Sequence, residues 1–213
     1  LNPARWKGNI DAMLPAPGKV AKVEHHAALP YKQLPAFMQA LAERDGVASS
    51  ALAFTILTAA RSGEVRGMTW GELNLRDKLW IIPKERMKSG REHRVPLTDE
   101  AVALLPDAGD ASDLVFPAPK GGALSDAAMS AVLKRMSVDV TVHGFRSSFS
   151  DWVTEQTSHS PEAREMALAH AVSSAVEAAY RRGDMFEKRR QLMSDWAAYT
   201  CSLFQSPTKE HQP

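Results

Sequence analysis

The sequence predicts an α+β fold, mainly helical, with a small antiparallel sheet packed on a helical core. Three observations carry that expectation. Apolar residues recur at three- and four-residue intervals over several stretches, the period of a helix pressed onto a core. Two short runs, LWIIP (79–83) and RVPL (94–97), have strand composition and are separated by a Ser89-Gly90 turn signal. Helix runs lie on both sides of this pair, an arrangement of helices around a hairpin.

Residues 31–45 place Leu34, Phe37, Met38 and Leu41 on one helix face. The uncharged run SSALAFTILTAA (49–60) predicts a buried helix that runs straight into Arg61, with Gly63 as its stop. After the hairpin, LVF (114–116) reads as a third short strand and PAPKGG as a loop. Helices follow over 125–137 and 144–156, the second burying Phe145, Phe149, Trp152 and Val153. Ser160-Pro161-Glu162 opens another with a capping residue, a proline at the first position and an early acid. Ser174 and Glu177 form a capping box for a short helix ended by Gly183, and Asp184 with Glu187 repeats the signal for a last helix to about residue 203.

The 213 residues fit one ordinary domain with short appendages, and 44% apolar with 24% charged residues is a soluble globular composition. The longest uncharged apolar run, 51–60, is half a membrane span, and no signal peptide is present, so no membrane partner is expected. The single cysteine, Cys201, suits a reducing compartment, and the cytoplasm, in a bacterium the nucleoid, is the expected location. Residues 1–28, rich in proline and basic residues, read as an interdomain linker whose upstream domain lies outside the chain; 29–204 reads as the main domain and 205–213 as a disordered tail. A net charge of +1 is neutral on nucleic acid, but KERMKSGREHR (84–94) and RRGDMFEKRR (181–190) concentrate cations. Either cluster alone reads as a solvated face.

Phosphate-binding glycine loops, dinucleotide fingerprints, H-E-x-x-H, G-x-S-x-G and paired C-x-x-C motifs are all missing, which removes nucleotide hydrolysis, hydride transfer, zinc proteolysis and serine hydrolysis. What remains is a set of polar residues in apolar surroundings. Arg61, closing the most hydrophobic helix, needs a nearby anion, and Glu64 three residues on can be that partner. His143 and Arg146 stand one turn apart at the start of a packed helix; His170 sits among small apolar residues; Tyr180 precedes two arginines. Each alone has a structural explanation. Together, two guanidinium forks match phosphate oxygens, two imidazoles exchange protons near neutrality, a tyrosine offers a nucleophile and Lys88 an acid. These are the parts of a phosphodiester attack that uses neither metal nor cofactor.

In this pattern the chain resembles the catalytic domain of the tyrosine recombinases, or phage integrases. TAARSGE supplies Arg61 with Glu64, MKSGREHRVPL supplies Lys88, HGFR supplies His143 and Arg146, LAH supplies His170 and EAAY supplies Tyr180, all in the family's order. The wording over 29–196 is similar to satellite-phage and genomic-island integrases, and LAH carries Ala169 where many members have Gly. The resemblance implies a tyrosine recombinase catalytic-domain fold and site-specific recombination of a mobile element through a 3′-phosphotyrosyl intermediate. In it Arg61 and Arg146 clamp the scissile phosphate, His143 and His170 assist by proton transfer, Tyr180 attacks, Lys88 protonates the 5′-oxygen and Glu64 orients Arg61. It also implies double-stranded DNA as partner, contacted by Lys84, Arg86, Arg91, Arg94, Arg181 and Arg182. Protomers of the full-length protein would assemble as a tetramer on DNA, with accessory DNA-bending or directionality factors; upstream core-binding and arm-binding domains are not in this chain. The competing readings are a type IB topoisomerase-like relaxation activity, a DNA-binding module without catalysis, and a helical domain whose arginines and histidines are structural.

Overall fold

The computed structural model describes residues 27–170 and 183–204. A 3-10 turn, Tyr31–Gln33, leads into α1 (Leu34–Ala42), which buries the four apolar residues that the periodicity placed on one face. Helix α2 (Val47–Thr58) follows and is the centre of the fold: from Ala51 to Thr58 every side chain is buried, as expected of a helix that is apolar all round. It packs against α1, α3 (Ser62–Arg66), α4 (Asp99–Val102), α5 (Ala128–Arg135) and α8 (Phe186–Thr200). Helices α6 (Gly144–Gln156) and α7 (Pro161–Ala167) complete the helical part. No helix among the described residues is long and apolar enough to cross a membrane.

The sheet has three antiparallel strands in chain order, β1 (Leu73–Asn74), β2 (Leu79–Ile82) and β3 (His93–Pro96). Trp80 opposes Val95 and Ile82 opposes His93 across β2 and β3. Pro96 lies on the edge strand, where a missing N–H is tolerated. Trp80 is fully buried, edge-on to Phe54 of α2, and its indole N–H reaches Glu72 at 2.9 Å. The sheet is thereby fastened to the central helix.

Three expectations are corrected. Arg61 does not end the buried helix: α2 stops at Ala59, which turns left-handed at φ 50°, and Arg61 is the extended residue that starts α3. Gly63, expected as the stop, lies inside α3. The third strand is β1 and not LVF (114–116). That segment stays buried and makes one isolated bridge, Thr69 with Leu114, because a 3-10 turn at Trp70–Glu72 ends the possible ladder on one side and Pro117 lacks a donor on the other. The last helix ends at Thr200 and starts after Met185, whose φ of 52° provides the turn, while the Phe186 N–H donates to the Asp184 carboxylate at 3.2 Å. The capping box at Ser174 and Glu177 lies outside the described residues. The Ser160 cap forms as read, accepting the Ala163 N–H at 3.2 Å.

The aromatic face of α6 assembles the two ends of the domain. Phe145 meets Phe37 of α1 at 5.2 Å, while Phe149 and Trp152 meet Trp196 of α8 at 5.2 and 5.0 Å. Chain 27–29 lies along the start of the same helix: the Ala27 carbonyl accepts the Thr141 N–H at 2.9 Å, and the Leu29 carbonyl accepts the Ser148 hydroxyl. This crossing leaves no room for a side chain at Gly144. A Cβ there would overlap the Ala27 carbonyl oxygen and come within 2.9 Å of the Ala28 Cα, both backbone atoms that cannot swing aside. Gly144→Ala is therefore expected to destabilise the domain by about 3 kcal/mol, at the upper end of overpacking costs. Thermal or urea unfolding measures the loss; a midpoint equal to wild type would show that chain 27–29 does not hold this position.

Candidate active site

The site grows from the ends of two helices. Helix α2 terminates in left-handed Ala59, and α7 terminates in left-handed Ala169 at φ 49°. At α7 the His170 N–H returns to the Glu165 carbonyl at 3.0 Å and the Ala169 N–H to Met166 at 3.1 Å, a Schellman closure. The position needs a positive φ, which a Gly adopts freely and Ala169 adopts at modest strain. The closure leaves the carbonyls of 167, 168 and 169 facing away from their own helix.

Arg146, on the first turns of α6, is 6% exposed. One of its terminal nitrogens donates to the Ala59 carbonyl and the other to the Leu168 carbonyl at 2.5 Å. Both acceptors sit at helix C-termini, where the aligned peptide dipoles place partial negative charge. Such an end favours a cation by up to about 2 kcal/mol in partly buried geometry, less than the several kcal/mol that removing one ion from water costs. Among the described residues no carboxylate pairs with Arg146, and its Nε is buried with no hydrogen-bond partner. Burial, reinforced by the neighbouring Arg61 charge, lowers its pKa to about 10, and Glu64 and Glu165 partly oppose this. The guanidinium remains charged at neutral pH and is incompletely compensated. Such an arrangement can receive an anion.

Arg61 stands beside it. Its Nη1 meets Glu64 Oε1 at 2.8 Å, its backbone N–H meets Glu64 Oε2 at 2.9 Å, and Nη2 points to the Ala169 carbonyl at 3.5 Å. Glu64 is 6% exposed, so one buried carboxylate caps α3 and fixes the guanidinium at once. The sequence expectation that Glu64 pairs with Arg61, and the expectation that Arg61 is free to bind a ligand, are compatible: Arg61 keeps 28% exposure. His170, for which the sequence suggested no partner, meets Glu165 Oε2 at 2.7 Å. Burial alone would raise Glu165, but hydrogen bonds from His170 and Arg164 outweigh it and hold the carboxyl below its usual range.

His143 is exposed immediately before α6, one turn from Arg146. Lys88 is exposed on the turn between β2 and β3, where Gly90 takes φ 64° and its N–H returns to Met87 at 2.9 Å. Among the described residues Lys88 makes no ion pair, so nothing fixes its ammonium near the arginines. Tyr180, Arg181 and Arg182 lie outside the described residues.

The cation clusters divide. Lys84 and Arg91 are exposed. Arg86 is turned inward onto Glu72 and the Glu64 carbonyl, packed so closely over Gly67 that a Cβ there would fall 2.9 Å from its guanidinium. Arg94 pairs with Asp184 at 3.2 Å and lies over the Phe186 ring at 4.2 Å. Arg189, counted within the second cluster, is 1% exposed and donates to Asp184 and to the Arg94 carbonyl at 2.5 Å.

One residue was missed. His93 lies near the backbone of Ala167 and near Arg189, Arg61 and Arg146. Burial first, then those cations, lower its pKa to about 4. Its signal was period two: His93 shares a strand face with buried Val95 and Leu97, whereas the sequence reading counted it among surface cations.

Known proteins match this arrangement. Residues 28–186 match the model of the phage integrase family. The chain belongs to the phage integrase family. It is 36% identical over 187 residues to prophage integrase IntZ of Escherichia coli K12 and 32% identical over 203 residues to the integrase of enterobacteria phage P4. Each alignment covers 84% of this chain and 46% of the relative, so the chain spans about half the length of these phage integrases. Among solved structures, the integrase from mycobacterium phage Brujita superposes with a TM-score of 0.62 at 15% identity, over 93% of this chain and 65% of that one. The Tn1549 transposon integrase in complex with circular intermediate DNA gives 0.55 at 16% identity, over 82% and 68%. The fold is the tyrosine recombinase catalytic-domain fold expected from the sequence.

Two measurable consequences follow from the local geometry of this integrase domain. Ala169→Gly removes the left-handed strain and is expected to raise stability by about 1 kcal/mol; an unchanged or lowered unfolding midpoint would contradict the Schellman end. His93 has a folded pKa of about 4 against an ordinary value of 6.5, so the unfolded chain binds the proton first. Its contribution is complete above pH 6.5 and is lost as pH falls toward about 4. Stability measured from pH 7 to 4 should decline in that window, and a His93→Gln variant should lack that component.

Proposed function

We propose that this domain cleaves and rejoins DNA as the catalytic unit of a site-specific tyrosine recombinase, integrating or excising a mobile element. The observation that carries the reading is the pair of neighbouring guanidiniums, Arg61 and Arg146, of which the buried one is held by carbonyls and not neutralised by a carboxylate. A phosphodiester supplies the missing negative charge, and a pentavalent transition state carries more of it than the ground state. Donors fixed before the reaction favour that state.

In this reading the Tyr180 oxygen attacks phosphorus, its proton passing to a base, and the P–O5′ bond breaks as the departing oxygen accepts a proton from Lys88. The product is a 3′-phosphotyrosine and a free 5′-hydroxyl; attack by a 5′-hydroxyl reverses the step and rejoins the strand. The bond is conserved, so neither nucleotide hydrolysis nor a cofactor enters. Arg61 and Arg146 clamp the nonbridging oxygens. His143, at the exposed start of α6, and His170, on Glu165, move protons near the phosphate. Lys84, Arg91, Arg94, Arg181 and Arg182 contact the DNA backbone, with Arg86 acting through the sheet. Residues 29–204 form the catalytic domain and 1–28 the link to upstream DNA-binding domains; exchange proceeds in a tetramer of protomers on DNA. The family match favours recombination over topoisomerase-like relaxation.

The other two tyrosines support the choice of nucleophile. Tyr31 is 7% exposed and donates to Glu155 at 2.8 Å, a bond that raises its pKa. Tyr199 stacks on Trp152 and donates to the Tyr31 carbonyl at 3.1 Å, and burial raises it too. Both hydroxyls are committed to the core, the wrong state for attack. Incubation with nicked, end-labelled duplex and denaturing electrophoresis should show a covalent protein–DNA band for wild type and none for Tyr180→Phe, at unchanged DNA affinity. A band that persists in Tyr180→Phe would refute the assignment, and none from either protein would refute the recombinase reading.

A further inference from the structure

Of the three residues that follow α7, two receive the arginines of the site. The Leu168 carbonyl accepts Arg146 at 2.5 Å, the Ala169 carbonyl receives Arg61 at 3.5 Å, and His170 comes next with its imidazole. Glu165, on the last turns of α7, holds His170 twice. Its backbone carbonyl accepts the His170 N–H at 3.0 Å, and its carboxylate Oε2 lies 2.7 Å from the ring Nδ1. An ionised carboxylate can only accept, so Nδ1 carries the proton of this hydrogen bond. We propose that Glu165 is a positioning residue for DNA cleavage: it fixes the tautomer and orientation of His170 so that Nε2 is the nitrogen that exchanges protons at the scissile phosphate. This rests on the reading of the domain as the cleaving unit and of His170 as one of its proton-transfer groups.

The geometry around Glu165 suits that role. A glutamate five residues before a histidine reaches its ring here because the Schellman closure folds residue 170 back over the last turn of α7. The other carboxylate oxygen, Oε1, accepts from Arg164 Nε at 3.1 Å and from Nη2 at 2.9 Å. Arg164 Nη1 in turn reaches the Thr154 hydroxyl of α6 at 2.5 Å. The carboxylate is thereby braced against the helix that carries Arg146, and its charge is felt at Arg146 as well. Burial opposes its ionisation, but the hydrogen bonds from His170 and Arg164 outweigh burial and keep it an acceptor at neutral pH. Both side chains are well exposed, 45% for His170 and 42% for Glu165, so the pair adds little to stability. Its consequence is orientation. A neutral histidine in water favours the proton on Nε2, and a carboxylate at Nδ1 reverses that choice. The neutral ring then offers a lone pair at Nε2 to accept a proton, and the protonated ring offers an N–H there to a phosphate oxygen. Without the carboxylate the ring turns freely and its neutral form carries the proton on Nε2, where it can no longer accept one.

The role is tested by two measurements on the natural full-length protein. Histidine-selective nitrogen-15 NMR at about pH 8.5, above the ordinary histidine range, reports the tautomer of each neutral ring. His170→Gln identifies the His170 signals by removing them. His170 should be the Nδ1–H tautomer in wild type and mainly Nε2–H in Glu165→Ala. Alanine suits a helix and keeps the backbone carbonyl that accepts the His170 N–H, so this variant retains the end of α7. Cleavage is followed in single turnovers on nicked DNA carrying the junction between element and chromosome. Glu165→Ala should slow formation of the covalent complex by about 10-fold, part of the 10²–10⁴ that positioned proton transfer supplies. His170→Gln should be slowed at least as much. The double variant should be no slower than His170→Gln, because Glu165 acts only through that ring. Multiplying defects in the double variant, Nε2–H in wild type, or Nδ1–H retained in Glu165→Ala each overturn the positioning role, while cleavage by wild type leaves the recombinase reading standing. Wild type that shows Nδ1–H yet forms no covalent complex overturns the recombinase reading and the role together.

Discussion

The buried guanidinium of Arg146 is the interaction on which the rest of the site depends. It joins Ala59, at the end of the central helix α2, to Leu168, at the end of α7, across 87 and 22 residues of sequence. Each acceptor is exposed to it because its helix ends in a left-handed turn, at Ala59 in one case and at Ala169 in the other. A carboxylate in the same place would bind the cation more strongly and silence it. Two carbonyl dipoles hold its position and orientation but leave most of the charge for a ligand, the compromise that a preorganised anion site requires.

Arg61 extends the same logic with a different counterweight. Glu64 does neutralise it, yet from a buried position that also caps α3, so its carboxylate cannot follow Arg61 toward solvent. Near the clamp, then, Glu64 compensates one guanidinium and leaves the other uncompensated. His93 is neutral, and Glu165 is occupied with His170 and Arg164. The net local charge is positive although the whole chain carries only +1. An attraction for anions at this place would therefore come from local geometry and not from overall charge.

How much of this was legible follows from the kind of information each feature uses. Helices α1 and α6 could be read because burial imposes a period on side chains, α7 from its Ser160-Pro161-Glu162 start, and the pairing of β2 with β3 from strand composition and the Ser89-Gly90 turn. Arg61, Lys88, His143, Arg146, His170 and Tyr180 were singled out by their order along the chain, a family pattern; the structure places Arg61 beside Arg146, while Tyr180 lies outside the described residues. The carbonyls that receive Arg146 and Arg61 could not be read, since every residue has a carbonyl and only backbone direction makes those of Ala59, Leu168 and Ala169 available. The left-handed alanines were hidden for a related reason: a Gly at either place would have announced the turn, and both positions tolerate Ala at modest strain. Asp184, at one end of the second cation cluster, did signal a helix start, but its pairing with both Arg94 and Arg189 needs β3 and α8 side by side.

The same limit explains why the cation clusters misled in part. KERMKSGREHR and RRGDMFEKRR look uniform in sequence, yet Arg86 and Arg189 are inward and Lys84, Lys88 and Arg91 are outward. Arginine is the residue that turns inward in each cluster. Its planar fork can satisfy carbonyls and carboxylates in several directions at once, and its weaker hydration makes burial less costly than for an ammonium. Both lysines of the first cluster are outside, where a flexible, strongly hydrated charge can reach a phosphate or give up a proton. The hairpin thus holds Arg86 inward on Glu72 and the Glu64 carbonyl and leaves its lysine side chains in solvent, so charge density along the sequence does not tell which cations an anion can reach.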